Sequence, residues 1–242
     1  RSLQEKLDDF ANVRDYGAVG DGTTDDTVAI NRALYDLFSR DTATAVRRTL
    51  YFPAGIYIVT DVVKIPTWAK IQGDGLECTV IKATDDSVAC VARTADSKQQ
   101  VGASIGSNSA TYPAYIDVND ISFYASVDID TFLVDATTNS KFSRVGFVGL
   151  NTTAPTTAGT STKAIGIDST ATVETNHILF ENCEIRGTNY GVVADDEMQN
   201  ILFNACKFTK LYRGAMIGEN IVGIGPKGVR ITNSLFDEVY SV

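Results

Sequence analysis

The chain has 242 residues, 44% hydrophobic and 21% charged, with a formal net charge of −9, enough for one large domain with a substantial core or two small ones. The acidic balance repels phosphate backbones and sets nucleic acid aside as a partner. No apolar run approaches the ~20 residues that span a bilayer and no signal peptide is evident, so no membrane insertion is expected.

Residues 1–12 read as an N-terminal helix or stem linker. Its core is SLQEKLDDF (2–10), which places Leu3, Leu7 and Phe10 on one stripe. Residues 13–48 read as a capping strand and helix. VRDYGAV (13–19) is the strand and Gly20-Asp21-Gly22 the turn, and a helix is predicted over roughly 24–40. Thr23 and Asp26 have capping-box spacing, and Asp25 and Asp26 fall where the helix dipole favours negative charge. Ile30, Ala33, Leu34, Leu37 and Phe38 form an apolar stripe at helical spacing. Gly20-Asp21-Gly22 has neither the Gly-Lys-Ser/Thr of a phosphate loop nor the spacing of an EF-hand, so it reads as a turn and a helix start.

From residue 49 to 242 the chain reads as coils of short strands. TLYFPAGIYIV (49–59), VVKIP (62–66), AKIQGDG (69–75) and TVIKA (79–83) are β-like runs broken by Gly, Pro or Asp-Gly. Residues 94–113 and 151–163 are loop-like, rich in small polar residues. Five later segments share one pattern of apolar, two variable, small or β-branched, variable, large apolar. They are VNDISF (118–123), FSRVGF (142–147), FENCEI (180–185), FNACKF (203–208) and ITNSLF (231–236).

Their starts lie 24, 38, 23 and 28 residues apart. A unit of ~23 residues suits one coil of a β-solenoid, and the 151–163 stretch accounts for most of the long interval. Stacked coils predict two internal columns: Ile121, Val145, Cys183, Cys206, Ser234 and Phe123, Phe147, Ile185, Phe208, Phe236. FLVDA (132–136), AIGID (164–168), GVVAD (191–195) and GAMIG (214–218) trace a second strand per coil. Cys78, Cys90, Cys183 and Cys206 contain no C-x-x-C pair, and His177 is the single histidine, so no metal site and no cofactor is expected. Cys183 and Cys206 fall at one repeat position and read as a buried thiol ladder rather than a disulfide.

DYGAVGDGTTDDTVAINRAL (15–34), with YFPAGIYIV (51–59) and IQGDG (71–75), resembles the N-terminal signature of the pectate-lyase-like superfamily, and more narrowly that of bacteriophage tailspike proteins. The resemblance covers roughly residues 5–85. It implies an all-β fold, a right-handed parallel β-helix with an N-terminal capping α-helix. It also implies a homotrimer on a virion tail, joined through its N-terminus to other tail proteins and assembled in the host cytoplasm. The implied function is to bind a bacterial surface polysaccharide, with depolymerisation by a glycoside hydrolase or lyase reaction expected. The alternatives are a non-catalytic structural or adhesin tail protein on the same scaffold, and a cellular pectate-lyase-like enzyme. The opening Arg1 and the ending EVYSV (238–242) read as an N-terminal portion of a longer protein.

Glycan cleavage needs paired carboxylates. Asp195, Asp196 and Glu197, with Glu219 one coil later, are the candidates, because aligning Gly191 with Gly214 sets Asp196 level with Glu219. The bland reading is a solvated acidic turn. Tyr190 and Tyr212, in corresponding turns of neighbouring coils, are the candidate sugar-binding residues, and turn packing or a subunit interface is the bland alternative. There is no G-x-S-x-G nucleophile elbow.

Overall fold

The computed structural model describes residues 9–39, 48–95, 113–155, 162–168, 174–194, 198–217 and 227–241. Short strands follow one another along the chain but pair with the strand one turn away, always in parallel. The result is a right-handed parallel β-helix. One face stacks β1 (Phe10–Asn12), β3 (Thr49–Phe52), β6 (Lys70–Gly73), the start of β9 (Asp117–Ala125), the start of β11 (Thr138–Val148), β13 (Thr175–Glu181), β16 (Met198–Asn204) and β18 (Lys227–Thr232).

A second face stacks β2 (Asp21–Asp25), β4 (Gly55–Val59), β7 (Thr79–Ala83), the ends of β9 and β11, β14 (Glu184–Arg186), the start of β17 (Lys207–Ile217) and β19 (Leu235–Ser241). The third runs through β5 (Val63–Ile65), β8 (Cys90–Thr94), β10 (Asp130–Asp135), β12 (Lys163–Asp168), β15 (Tyr190–Ala194) and the end of β17.

Both predicted columns exist. Phe123, Phe147, Ile185, Phe208 and Phe236 are consecutive partners in the register. A third column, Val118, Phe142, Phe180, Phe203 and Ile231, lines the first face. Parallel in-register pairing holds equivalent side chains ~4.8 Å apart, so identical rings stack. Phe180 and Phe203 lie 4.5 Å apart and 3° from coplanar, and Phe208 and Phe236 are 4.5 Å apart at 9°. Cys183 and Cys206 are free and buried. Their thiols donate to the Phe142 and Phe180 carbonyls at 3.4 and 3.5 Å. In the last described coil, Ile231, Phe236 and Val239 are only partly buried against the core.

The N-terminal segment departs from expectation at several points. The 2–10 helix falls largely outside the described residues, and Phe10 opens β1 instead. Residues 13–19 are not a strand: Val13–Tyr16 form a 3₁₀ turn closed by Gly17 at φ 99°, where only glycine is free of strain. The helix α1 runs Thr27–Leu34 and widens into a π turn at Tyr35–Ser39. It starts later than predicted because Asp21–Asp25 pair with β4.

The capping box is absent as well. Asp26 takes the N-cap position, but its carboxylate accepts from the Val19 and Gly20 amides at 2.6 and 3.0 Å. The apolar stripe is as predicted: Ile30, Ala33, Leu34, Leu37 and Phe38 are buried in the common core. Asn31 fixes α1 to the scaffold. Its amide donates to the Val62 carbonyl at 3.1 Å and accepts from the Lys64 amide at 2.9 Å, pairing with the edge of β5 as a neighbouring strand would.

The corners between faces are made by residues in the left-handed region. Asp120, Arg144, Asn182, Ala205 and Asn233 have φ between 50° and 56°. Each occupies the third position of its repeat segment. A second corner stacks Trp68, Tyr115, Asn139, His177, Asn200 and Gly228, and a third Gly187, Lys210 and Glu238, all at positive φ. Asn tolerates this conformation and Ala does not. Ala205→Asn is therefore expected to raise stability by about 0.5–1 kcal/mol, read as a higher denaturation midpoint. Asn31→Ala, which strands the Val62 carbonyl and the Lys64 amide, is expected to cost about 1–3 kcal/mol by the same measurement.

Candidate functional site

The predicted acids Asp195, Asp196 and Glu219 lie outside the described residues. The register leading to them is the predicted one: Tyr190 pairs with Arg213 and Val192 with Ala215, which places Gly191 beside Gly214. Tyr190 and Tyr212 are therefore offset by one position. Their rings still meet edge-on, 6.5 Å apart.

The sequence pattern did not single out Tyr240. β17 and β19 pair Leu211 with Val239 and Arg213 with Ser241, so Tyr240 lies directly beside Tyr212. The two rings stack at 5.3 Å and 12°. Tyr240 is 63% exposed, and the Arg213 guanidinium lies 5.8 Å from the Tyr212 ring centre. Three phenol rings thus follow one another on three successive coils, Tyr190 and Tyr212 half-buried and Tyr240 exposed. Its signal in the sequence is an aromatic six residues beyond the small residue in FNACKF and ITNSLF.

A groove of about 370 Å³ opens on the second face. Its floor is built by register: Val80 pairs with Ser122, and Lys82, Tyr124, Val148 and Arg186 form one outward column. One wall is the turn at Leu76–Glu77, held by the Ser122 hydroxyl donating to the Leu76 carbonyl. The hydroxyl reaches it because residue 146, its neighbour in the column, is glycine; a Cβ there would strike Ser122.

The other wall is Gly149–Thr152, laid against the next coil. The Gly149 amide donates to the Arg186 carbonyl at 2.8 Å, and that of Asn151 to Gly187 at 2.7 Å. Arg186 and Lys210 also line the groove, and Lys82 lies 5.7 Å over the Tyr124 ring. The groove thus offers an aromatic face, side-chain amide and hydroxyl groups, two cations and one carboxylate, Glu77.

Two other described carboxylates, Asp120 and Asp130, hold the frame. Arg144 clamps Asp120 with Nε and Nη2 at 2.5 and 2.7 Å, and this pairing holds the carboxyl below its usual range. Burial pushes the Asp130 carboxyl up against the opposing pull of Lys163. It accepts the Lys163 amide at 3.0 Å where β12 begins. Among the described residues no group of three His, Cys, Asp or Glu side chains is placed to hold a metal ion. No helix among them is long and apolar enough to cross a membrane.

Residues 10–235 match the family model described as rhamnogalacturonase A/epimerase, pectate lyase-like. A glucan 1,3-beta-glucosidase of Cochliobolus carbonum is 39% identical over 80 residues, 31% of this chain and 10% of that protein. The mannuronan C5-epimerase AlgE2 of Azotobacter vinelandii is 40% identical over 81 residues, 31% of this chain and 8% of the other. Among solved structures, ORF18 of Geobacillus virus E2 superposes with a TM-score of 0.67 at 18% identity, covering 98% of this chain and 51% of the other. The Dettilon tailspike protein superposes at 0.62 and 14%, covering 99% and 40%. The chain thus spans a tenth or less of these two relatives and about half or less of these two structures, and the structural likenesses concern the fold.

The groove geometry makes a prediction of its own. Gly146→Ala should destabilise the protein by about 1–3 kcal/mol through collision with Ser122. Adding Ser122→Ala should recover part of that loss. A double-mutant cycle by thermal melting reads the coupling.

Proposed function

We propose, since the chain belongs to the rhamnogalacturonase A/epimerase, pectate lyase-like family, that it is part of a bacteriophage tailspike that binds, and depolymerises, a bacterial surface polysaccharide. The observation that carries this reading is the column Tyr190, Tyr212 and Tyr240, half-buried at its first two rings and exposed at Tyr240. Aromatic rings with an apolar face and a polar tip suit sugars, whose ring C–H bonds pack on the face while hydroxyls meet the tip. A ladder with one ring per coil presents that face repeatedly, as a polymer of repeating units requires. The tailspike among the structural neighbours and the glucan-acting relative agree with a polysaccharide partner.

The protein would act as a homotrimer on the virion tail, joined to other tail proteins through its N-terminus. Domain limits of 1–12 for a stem, 13–48 for a capping unit and 49–242 for the coils go with this reading. For cleavage, Asp195, Asp196 and Glu219 are the proposed carboxylates, as acid and base or as acid and nucleophile.

Incubation of the full-length protein with host polysaccharide, followed by size-exclusion chromatography, tests the reading. Shortened glycan is expected, with loss of cleavage in Asp196→Asn or Glu219→Gln. Tyr212→Ala is expected to weaken binding about tenfold, or ~1.4 kcal/mol. Retained binding with unchanged glycan length would remove the depolymerase activity and leave an adhesin. Full activity in both carboxylate variants would remove the site assignment.

A further inference from the structure

We infer that Cys183 and Cys206 are a redox-active pair, which a peroxide oxidises to a disulfide that clips two neighbouring coils together. This goes beyond the proposed function and does not depend on a glycan. Both thiols are free, and the register stacks one on the other. The Lys207 amide donates to the Cys183 carbonyl at 2.8 Å, and Glu184 pairs with Lys207 one residue on. Residues stacked in this way stand ~4.8 Å apart, inside the ~4.4–6.8 Å between Cα atoms that a disulfide spans. The register sets Val145 before this pair and Ser234 after it. The ladder therefore has two rungs, and each thiol has one possible partner.

The two thiols also hydrogen-bond to each other, and unequally. The hydrogen bond from Cys183 holds the Cys206 thiol below its usual range, whereas burial and that same hydrogen bond push Cys183 up. Cys206 is thus the sulfur that ionises, and the thiolate is the nucleophile. The other cysteines lack this arrangement: Cys78 is exposed, and Cys90 stacks on Asp130 with its thiol pushed up to about 12 by burial. The Cys206 thiolate attacks one oxygen of hydrogen peroxide and the O–O bond breaks. The departing hydroxide recombines with the proton that Cys206 lost, and Cys206 is left as a sulfenic acid. The Cys183 sulfur then attacks the Cys206 sulfur, the S–O bond breaks, and the hydroxyl leaves with the Cys183 proton as a second water. Two thiols have lost two electrons, and one peroxide has become two waters. Both residues are 2% exposed, which favours a small neutral oxidant over a bulky one. A reducing compartment keeps the pair as thiols, and an oxidising one lets the bridge persist. The closed loop contains β14, β15 and β16, and with them Tyr190.

The test treats the folded full-length protein, carrying Cys78→Ser so that the exposed thiol does not compete, with hydrogen peroxide. The protein is then unfolded, its remaining thiols are alkylated, and it is digested with trypsin. Cleavage after Lys163, Arg186 and Lys207 puts Cys183 and Cys206 in separate peptides, 164–186 and 187–207, so a bridge appears in the mass spectrum as one cross-linked species lighter by two hydrogens. That species is expected, and dithiothreitol should remove it. Dimedone, which traps sulfenic acids, should label Cys206 in Cys183→Ala about tenfold faster than it labels Cys183 in Cys206→Ala. The bridged protein should melt about 5 °C above the reduced one, and Cys183→Ala treated alike should show no such rise.

Recovery of both peptides fully alkylated after peroxide treatment would overturn the inference. So would a cross-link that forms only when peroxide is added in denaturant, because the folded stack would then hold the pair apart from the oxidant. Sulfinic or sulfonic acid at Cys206 without a bridge would overturn it too, since Cys183 would not then be positioned to resolve the sulfenic acid. Faster labelling of Cys183 than of Cys206 would overturn the choice of attacking sulfur. A bridged protein that melts no higher than the reduced one would overturn the clip. None of these outcomes bears on polysaccharide binding, which the chromatographic assay reads separately.

Discussion

Everything in this fold depends on parallel strands that stack in register, one coil on the next. Register at this spacing means that a residue's neighbours above and below are its own repeat equivalents. A side chain that packs well once then packs well in every coil. The Phe142, Phe180 and Phe203 rings are stacked because Ser140, Lys141 and Phe142 are locked opposite Ile178, Leu179 and Phe180, and these opposite Ile201, Leu202 and Phe203. A slip of one residue would turn the whole column outward. The corners enforce the same register from the backbone: where the chain must turn sharply between faces, one residue per coil takes the left-handed conformation. These residues stack because the strands on either side do.

A stack has ends, and its ends expose unpaired backbone. On the third face, no strand precedes β5 among the described residues. The Asn31 side chain supplies both partners that a strand would, a donor to Val62 and an acceptor for Lys64. The buried stripe of α1 covers apolar surface beside it. One asparagine in a helix therefore does the work of a backbone segment, and an aliphatic residue of equal size could pack there without satisfying the edge. In the last described coil burial falls off. Phe208 is fully buried between its partners, while Phe236, the same residue one coil on, is only partly buried.

The repeat was legible from residue types alone, because the inward columns tolerate only apolar or small side chains and so leave a periodic trace. The third position of each segment, holding Asp120, Arg144, Asn182, Ala205 and Asn233, looked variable. Its constraint is on φ rather than on chemistry, and only the two asparagines and the aspartate hint at it. The start of α1 was misplaced for a related reason. Thr23 and Asp26 have the spacing of a cap, but β4 offered Asp21–Asp25 a strand partner, and tertiary pairing overrode the local signal. The groove left no trace at all. It arises from Gly146 making room for Ser122 to hold a turn 46 residues away in sequence, a relation between coils that no local pattern records.

The same division explains where function can reside. Inward positions are bound by the columns and are nearly interchangeable between coils. Outward positions are not, and a coil can vary them without disturbing its neighbours. Lys82, Tyr124, Val148 and Arg186 occupy one outward column and share no chemistry, whereas Phe123, Phe147 and Ile185, one residue before the last three of them, are all apolar and fully buried. Tyr190, Tyr212 and Tyr240 are the exception, an outward set that does repeat. Packing does not require rings there, since Tyr240 is largely exposed. Repetition on a partly open face is what a repeating ligand would demand of the outer surface, just as repetition with full burial is what the stack demands of the core.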